Sequence, residues 1–348
     1  MATTVSNIRP LAIFTGYMVT AAALTSKCIS IILSSRTASS SGQSQTKNTP
    51  PRRPRPVVTL LFALLAAVSL ATTWYHMFRY FRWSYLDWAE DHLLPFGGDL
   101  DPSAGPYLGA WLRDTSLFRQ AWASTLETPP RAWWSLQIFG FCAHWSVMLA
   151  LQARKRRIPH AWAFMLLGQV VAISFASNLF FLAVLLYDVA ADDDDDDEEE
   201  DDIGGKGGKV TKTPSPSPSL SPSTALFWYP TIFGFTIGWA LEIPNQFGRP
   251  RFMPMLLGPH VFAFAPLLLN AVLRADLPAR LLNPPSWYVR AGFMTALVAV
   301  ATSRVVSAGG DWALVKSTLY EHPAVSSVGW DVICCWVSYA AWAVLGEA

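Results

Sequence analysis

Seven stretches of this chain run for about 18 residues or more with few or no charges, at roughly 57–79, 132–152, 160–187, 225–243, 252–273, 287–308 and 325–345. At about 1.5 Å of rise per residue, a coil of that length crosses the ~30 Å hydrocarbon core of a bilayer. Inside hydrocarbon the backbone has no water to bond, so it bonds to itself, and a helix does that within one segment. The expected fold is therefore all-α, a polytopic transmembrane helical bundle with seven spans. An eighth stretch, about 10–33, is interrupted by Lys27. It reads as a span, a signal anchor or a targeting segment, and no A-x-A-like cleavage site is clear.

Composition agrees with a membrane protein. The chain is 52% hydrophobic and 15% charged, against about a quarter charged in soluble domains. Mean hydropathy is +0.27, and the 16 tryptophans suit a protein with two membrane–water boundaries. The net charge of +1 sums an acidic run with an otherwise basic chain. Cys28, Cys142, Cys334 and Cys335 all lie in apolar stretches and have neither metal-ligand nor disulfide-framework spacing.

Two regions divide the chain. Residues 1–56 hold the N-terminal segment and a Pro/Ser/Arg linker that cannot build a core. Residues 57–345 hold the bundle, interrupted at 190–222 by an insertion that begins with the acidic run Asp192 to Asp202. Uninterrupted like charges repel one another and stay solvated, so the insertion reads as a disordered loop that tolerates deletion. The basic groups Arg52, Arg53 and Arg55, Arg154 to Arg157, and Arg249 with Arg251 fall in alternate connections, which places those three in the cytosol. The connection 81–131 then faces the lumen. In F-R-W-S-Y-L-D-W-A-E-D-H-L-L, Phe81, Tyr85, Trp88 and Leu93 share one helical face, which predicts a helix lying in the interface plane, and a further short helix is expected at about 107–126.

Polar residues inside the spans are the candidates for function, because a charge at the bilayer centre costs about 2.5 kcal/mol or more. With the orientation above, Asp331, His260, Gln169, Glu242, Arg304 and His144 fall in one slab on the cytosolic side, roughly 10–15 Å deep. Each has a plainer reading. Arg304 snorkels to headgroups, Glu242 is a solvated helix end, His260 is hydrogen-bonded structure, and Gln169 and Asn178 tie helices together. Asp331 resists the plain reading most, its rival being an ion pair with Arg304. Ser327, Asp331, Cys335, Ser338 and Trp342 recur at spacings of three or four, a polar and aromatic face suited to a pocket. On that reading Asp331 is a protonated acid, and Asp331→Asn removes a transferable proton without lowering protein level. Asp87, Glu90 and Asp91 share a helical face that suits Mg²⁺ and equally suits water; beyond that weak alternative no metal site is expected. No phosphate-cradling glycine loop, G-x-S-x-G elbow, H-E-x-x-H or dinucleotide fingerprint occurs, and the basic clusters are loop-borne, so no nucleic-acid partner is expected.

The stretches T-T-W-Y-H-M-F-R-Y-F, R-R-I-P-H-A-W-A-F-M-L-L-G-Q, L-G-P-H-V-F-A-F-A-P and V-G-W-D-V together resemble the fungal membrane-bound terpene cyclases of meroterpenoid pathways, the ascofuranone type, over about residues 57–345. The resemblance implies a multi-pass protein of the endoplasmic reticulum in secondary metabolism. It would be an isomerase- or lyase-type cyclase closing a prenylated aromatic or isoprenoid, in epoxide form, without a cofactor. Asp331, Glu242 and His260 are the expected catalytic groups. Trp330, Trp239, Trp336, Gln169 and Arg304 are expected to hold a lipophilic substrate, with ring faces stabilising a carbocation. Two other readings stand beside it, a proton-coupled small-molecule transporter and a non-catalytic membrane scaffold or assembly protein.

Overall fold

A computed structural model of the chain describes residues 7–40, 56–92, 107–187, 223–272 and 285–346. The basic linker and the acidic insertion 190–222 lie outside the described residues. Among those described, thirteen α-helices follow one another and no strand occurs. They are α1 (Ile8–Ser40), α2 (Pro56–His92), α3 (Leu108–Asp114), α4 (Leu117–Leu126), α5 (Pro129–Lys155), α6 (Ala161–Val170), α7 (Ile173–Leu186), α8 (Ser223–Glu242), α9 (Phe252–Phe262), α10 (Ala265–Val272), α11 (Trp287–Ser307), α12 (Trp312–Glu321) and α13 (Pro323–Leu345).

Five of these, α1, α2, α5, α11 and α13, are long and apolar enough to cross a membrane, and α9 with α10 makes a sixth if the bent pair is one span. The expected seven or eight spans are thus only partly met. The stretch 160–187 is not one helix but α6 and α7, of 10 and 14 residues. Those lengths reach about 15 and 21 Å, short of the ~30 Å core. The stretch 252–273 bends by 46° between α9 and α10. There Pro266, in the first turn of α10, has no N–H to continue the ladder, while Ala263 N–H still bonds the Pro259 carbonyl at 3.0 Å.

Helix α5 is the axis of the bundle. Its most apolar window is 94% buried, and it presents apolar side chains in every direction rather than along one stripe. Around it pack α4, α8, α10, α11 and α13, while α2, α7 and α13 form a second layer. Asn178 ties that layer together, donating to Ser338 Oγ at 2.8 Å and Ser69 Oγ at 3.4 Å, the helix-tying role expected of it. The N-terminal segment belongs to the bundle too. On α1, Ala21 and Cys28 are buried, and Tyr17 donates to the Val170 carbonyl at 2.9 Å.

The segment after residue 81 is not a separate interfacial helix. It continues α2 without a break to His92, so α2 has 37 residues and is about 55 Å long. The predicted face is real in part, but it packs against protein: Trp88 and Ala89 form a small second core with Ala110 and Trp111 of α3. Tyr80 donates to the Leu117 carbonyl at 2.8 Å, which joins α2 to α4.

The turn into the last helix carries a pH dependence. Nδ1 of His322 accepts the Ala324 N–H at 3.2 Å and so caps α13, with Trp83 packed edge-on against the ring at 4.5 Å. Burial, helped by the Arg131 guanidinium and opposed by Glu321, holds this imidazole down at about 4, against 6.5 for an ordinary histidine. The folded pKa lies below the unfolded one. The stability the neutral ring contributes is therefore complete above pH 6.5 and is lost as pH falls from 6.5 toward 4. Melting of the detergent-solubilised protein should shift downward across that window. It should shift less in His322→Asn, where an amide keeps the cap without titrating, and parallel curves for the two proteins would contradict the assignment.

Candidate functional site

The site forms where α6 stops and α7 starts. Ala172 is fully extended there, with φ −167° and ψ 139°, so the carbonyls ending α6 and the N–H groups opening α7 have no helical partners. Two distant side chains supply them. Tyr17 covers the Val170 carbonyl, as above. Asp331 covers the other end: Ile173 N–H donates to Oδ2 at 3.0 Å and Ser174 N–H to Oδ1 at 2.9 Å. A carboxyl group suits a helix N-terminus, because its two oxygens supply the acceptors that the unpaired N–H groups need. Asp331 is only 7% exposed. Arg304 is exposed on α11, and among the described residues no ion pair joins the two.

One helical turn before the break, Gln169 leaves α6 and meets His260 of α9, with Oε1 and Nδ1 2.6 Å apart. The Gln169 amide nitrogen faces sulfur, Cys142 Sγ at 3.2 Å and Met165 Sδ at 3.6 Å. The His260 ring is held edge-on by Trp122 of α4 at 5.4 Å and Phe139 of α5 at 5.7 Å. Its Nε2 is buried without a hydrogen-bond partner.

Asp331, His260 and Gln169 all line one cavity of about 120 Å³, together with Trp122, Phe139, Cys142, Thr73 and Ser327. Three groups expected to share a depth thus share a wall. Both interrupted helices reach it: Val171 and Ala172 of the first break line the cavity, and His260 lies three residues before Ala263 of the second.

Other expected site residues lie elsewhere. Glu242 is exposed at the end of α8, where Asn245 donates to its Oε2 at 2.9 Å. Trp239 is 38% exposed and covers Gly258. Trp336 donates from its indole to Gln137 Oε1 at 2.9 Å, and Trp330 stacks on His76 with ring centroids 6.5 Å apart. None of these three tryptophans lines the cavity, whose aromatic wall is Trp122 and Phe139. Asp87, Glu90 and Asp91 are exposed on α2, and among the described residues no three His, Cys, Asp or Glu side chains converge as metal ligands. His144 belongs to a separate polar knot, with Nδ1 3.2 Å from Tyr229 Oη and its ring edge-on to Tyr339 at 4.7 Å. Arg290, which drew no attention in the sequence, is buried nearby with Nη1 on Met148 Sδ at 3.5 Å. Its place three residues into an apolar helix was the signal available.

The cavity combines a carboxyl group, an imidazole and aromatic ring faces inside an apolar bundle. Such a set moves protons and steadies a transient cation. Compared with known protein families, curated proteins and solved structures, the chain matches none.

Proposed function

We propose that this chain is an integral membrane terpene cyclase that isomerises a prenylated aromatic or isoprenoid epoxide within the bilayer, and that the cavity at the α6–α7 break holds the reacting end. The observation that carries the reading is the meeting of Asp331 and His260 with the rings of Trp122 and Phe139 on one cavity wall. The local resemblance to fungal cyclases of meroterpenoid pathways supports it, as does a bundle whose helices are long and apolar enough to lie in a bilayer, where such substrates dissolve. Residence in the endoplasmic reticulum belongs to the same proposal.

In this scheme Asp331 gives a proton to the epoxide oxygen and the carbon–oxygen bond opens. The cation is shielded by the aromatic faces, a nucleophile within the substrate closes the ring, and a proton is returned. Proton in and proton out leave the mass unchanged, and the chemistry asks for no cofactor. Two backbone N–H bonds fix the Asp331 carboxyl, and each oxygen keeps a second lone pair on which the proton can ride. A cavity of about 120 Å³ is smaller than the ~300–1,000 Å³ of sites that swallow a whole ligand. Only the reacting end enters, and the isoprenoid tail lies between helices.

A proton-coupled transporter is the second reading, favoured by two interrupted helices meeting at the cavity, since broken helices place backbone groups at transport sites. One experiment separates the two. Membranes of a heterologous host carrying the chain, fed prenyl-arene epoxides, are expected to yield cyclic isomers of unchanged mass by mass spectrometry and NMR. Proteoliposomes that move the fed compound intact, with no isomer formed, would replace the cyclase with the transporter.

A further inference from the structure

Helices α6 and α7 lie side by side. On one continuous helix, residues 164 and 180 would stand about 24 Å apart. Instead the rings of Phe164 and Phe180 meet edge-on with centroids 5.5 Å apart, and a Cβ at Gly168 would stand 3.4 Å from the Ala176 Cβ. Both pairs are symmetric about position 172, so α7 folds back antiparallel along α6. Neighbouring helices give the depth of the turn. Helix α6 sets off from the end of α5, where the chain reverses sharply: Arg157 and His160 take left-handed φ of 50° and 52°, and Ile158 N–H bonds the Ala153 carbonyl at 2.8 Å. Gln169 then reaches Cys142, about 20 Å back along α5 from Lys155. Helix α7 returns to where α6 began. Arg156 Nη1 donates to the Tyr187 carbonyl at 2.9 Å, and the Tyr187 hydroxyl donates to the Ile31 carbonyl at 3.0 Å, far along α1 from Tyr17 at the turn.

We propose that α6 and α7 form a re-entrant hairpin: the chain dips into the bilayer from the face where α5 ends, turns at Val171 and Ala172, and leaves by the same face. The tip stops about two-thirds of the way through a ~30 Å core. A turn at that depth is tolerated where protein or a cavity covers its backbone. Here Tyr17 of α1 donates to the Val170 carbonyl, and Asp331 of α13 accepts the first N–H groups of α7, so each arm is pinned by its own side chain. Gly168, Gln169, Val171, Ala172 and Ile173, all at the tip, form one wall of the cavity, so whatever occupies it meets the turn of the hairpin. The hairpin also reorders the connections around it. Arg154 to Arg157 and the insertion with its acidic run share one face of the membrane. Arg249 and Arg251 fall on the other, against the alternation expected of the basic groups. Trp239 of α8 packs on Gly258 of α9, His260 stands beside Phe139, and Asn270 donates to the Ala150 carbonyl at 2.7 Å. Helices α9 and α10 therefore run toward the end where α5 stops, and begin at the opposite one.

Labelling the full chain in sealed vesicles with a membrane-impermeant maleimide tests the path. Cys28, Cys142, Cys334 and Cys335 are buried, so the native chain is the blank. His160 is exposed before α6 and Arg249 before α9, and Ser215 lies in the insertion after α7. His160→Cys and Ser215→Cys are expected to react from the same face and Arg249→Cys from the other, each losing its label when the reagent is confined to the opposite side. A chain that crosses the membrane at 160–187 groups His160→Cys with Arg249→Cys and isolates Ser215→Cys, and that grouping would overturn the hairpin. Arg53→Cys replaces His160→Cys where the latter does not fold, because α2 starts at the same end. There Phe62 packs on Phe181 of α7 and Trp342 of α13, with ring centroids 5.3 and 5.6 Å away. The grouping is read without substrate, so a failed cyclase assay leaves it standing.

Discussion

Asp331→Asn is expected to lose both turnover and stability. An amide carries no transferable proton, so cyclisation should fall by roughly 10²–10⁴-fold, the usual worth of a general acid. From the sequence, the neutral amide also looks harmless to folding, since it is cheaper in a bilayer than a charge. The geometry reverses that expectation. Ile173 and Ser174 donate to different oxygens of Asp331, and asparagine has only one oxygen to offer. Its NH₂ would face the second backbone N–H, and a stranded buried donor costs about 1–3 kcal/mol. The melting temperature in detergent should fall accordingly. Adding Arg304→Gln should restore nothing, because Arg304 is exposed and outside the site. Melting as in the native chain would mean that the carboxyl group is not what holds α7.

Gly168→Ala is expected to destabilise the bundle by about 1–3 kcal/mol, the usual cost of overpacking. A Cβ at Gly168 would run into the Trp145 ring, with the Ala176 Cβ 3.4 Å away on the other side. Trp145 is 0% exposed and has no room to retreat. The pair is testable as a cycle: Trp145→Phe in the same chain should recover part of the loss, because the smaller ring vacates the contested space. Additive losses in the double variant would place the strain elsewhere.

Much of the architecture was written in hydropathy. α5, α11 and α13 begin and end within about three residues of the apolar runs that announced them. Pro266 gives a local reason for the α9–α10 bend, and Gly309, at φ 79°, followed by Gly310 and the capping Asp311, marks the turn into α12, which hydropathy alone did not announce. The α6–α7 break had no such sign. Neither Gly nor Pro stands at 171–172, and the groups that make the break tolerable are 153 and 157 residues away along the chain. Local propensity cannot report a partner that distant. The site was legible by the same division. Depth along the spans put Asp331, His260 and Gln169 at one level, and they share the cavity; it put Glu242, Arg304 and His144 there as well, and those lie elsewhere. Depth says nothing of rotation, so Trp330, Trp239 and Trp336 were assigned to a wall built by Trp122 and Phe139.

The order of synthesis adds a consequence. A ribosome delivers α6 and α7 long before Asp331 exists, yet Ile173 N–H depends on a side chain 158 residues later. Hydrocarbon leaves such donors nothing else to bond. Until α13 arrives, the nascent protein carries an open seam, recognisable to the quality-control machinery that surveys unfinished membrane proteins. Helix α13 is then a closing latch, and a transcript terminated between α7 and residue 331 would yield a product that is inserted, largely helical and marked for removal.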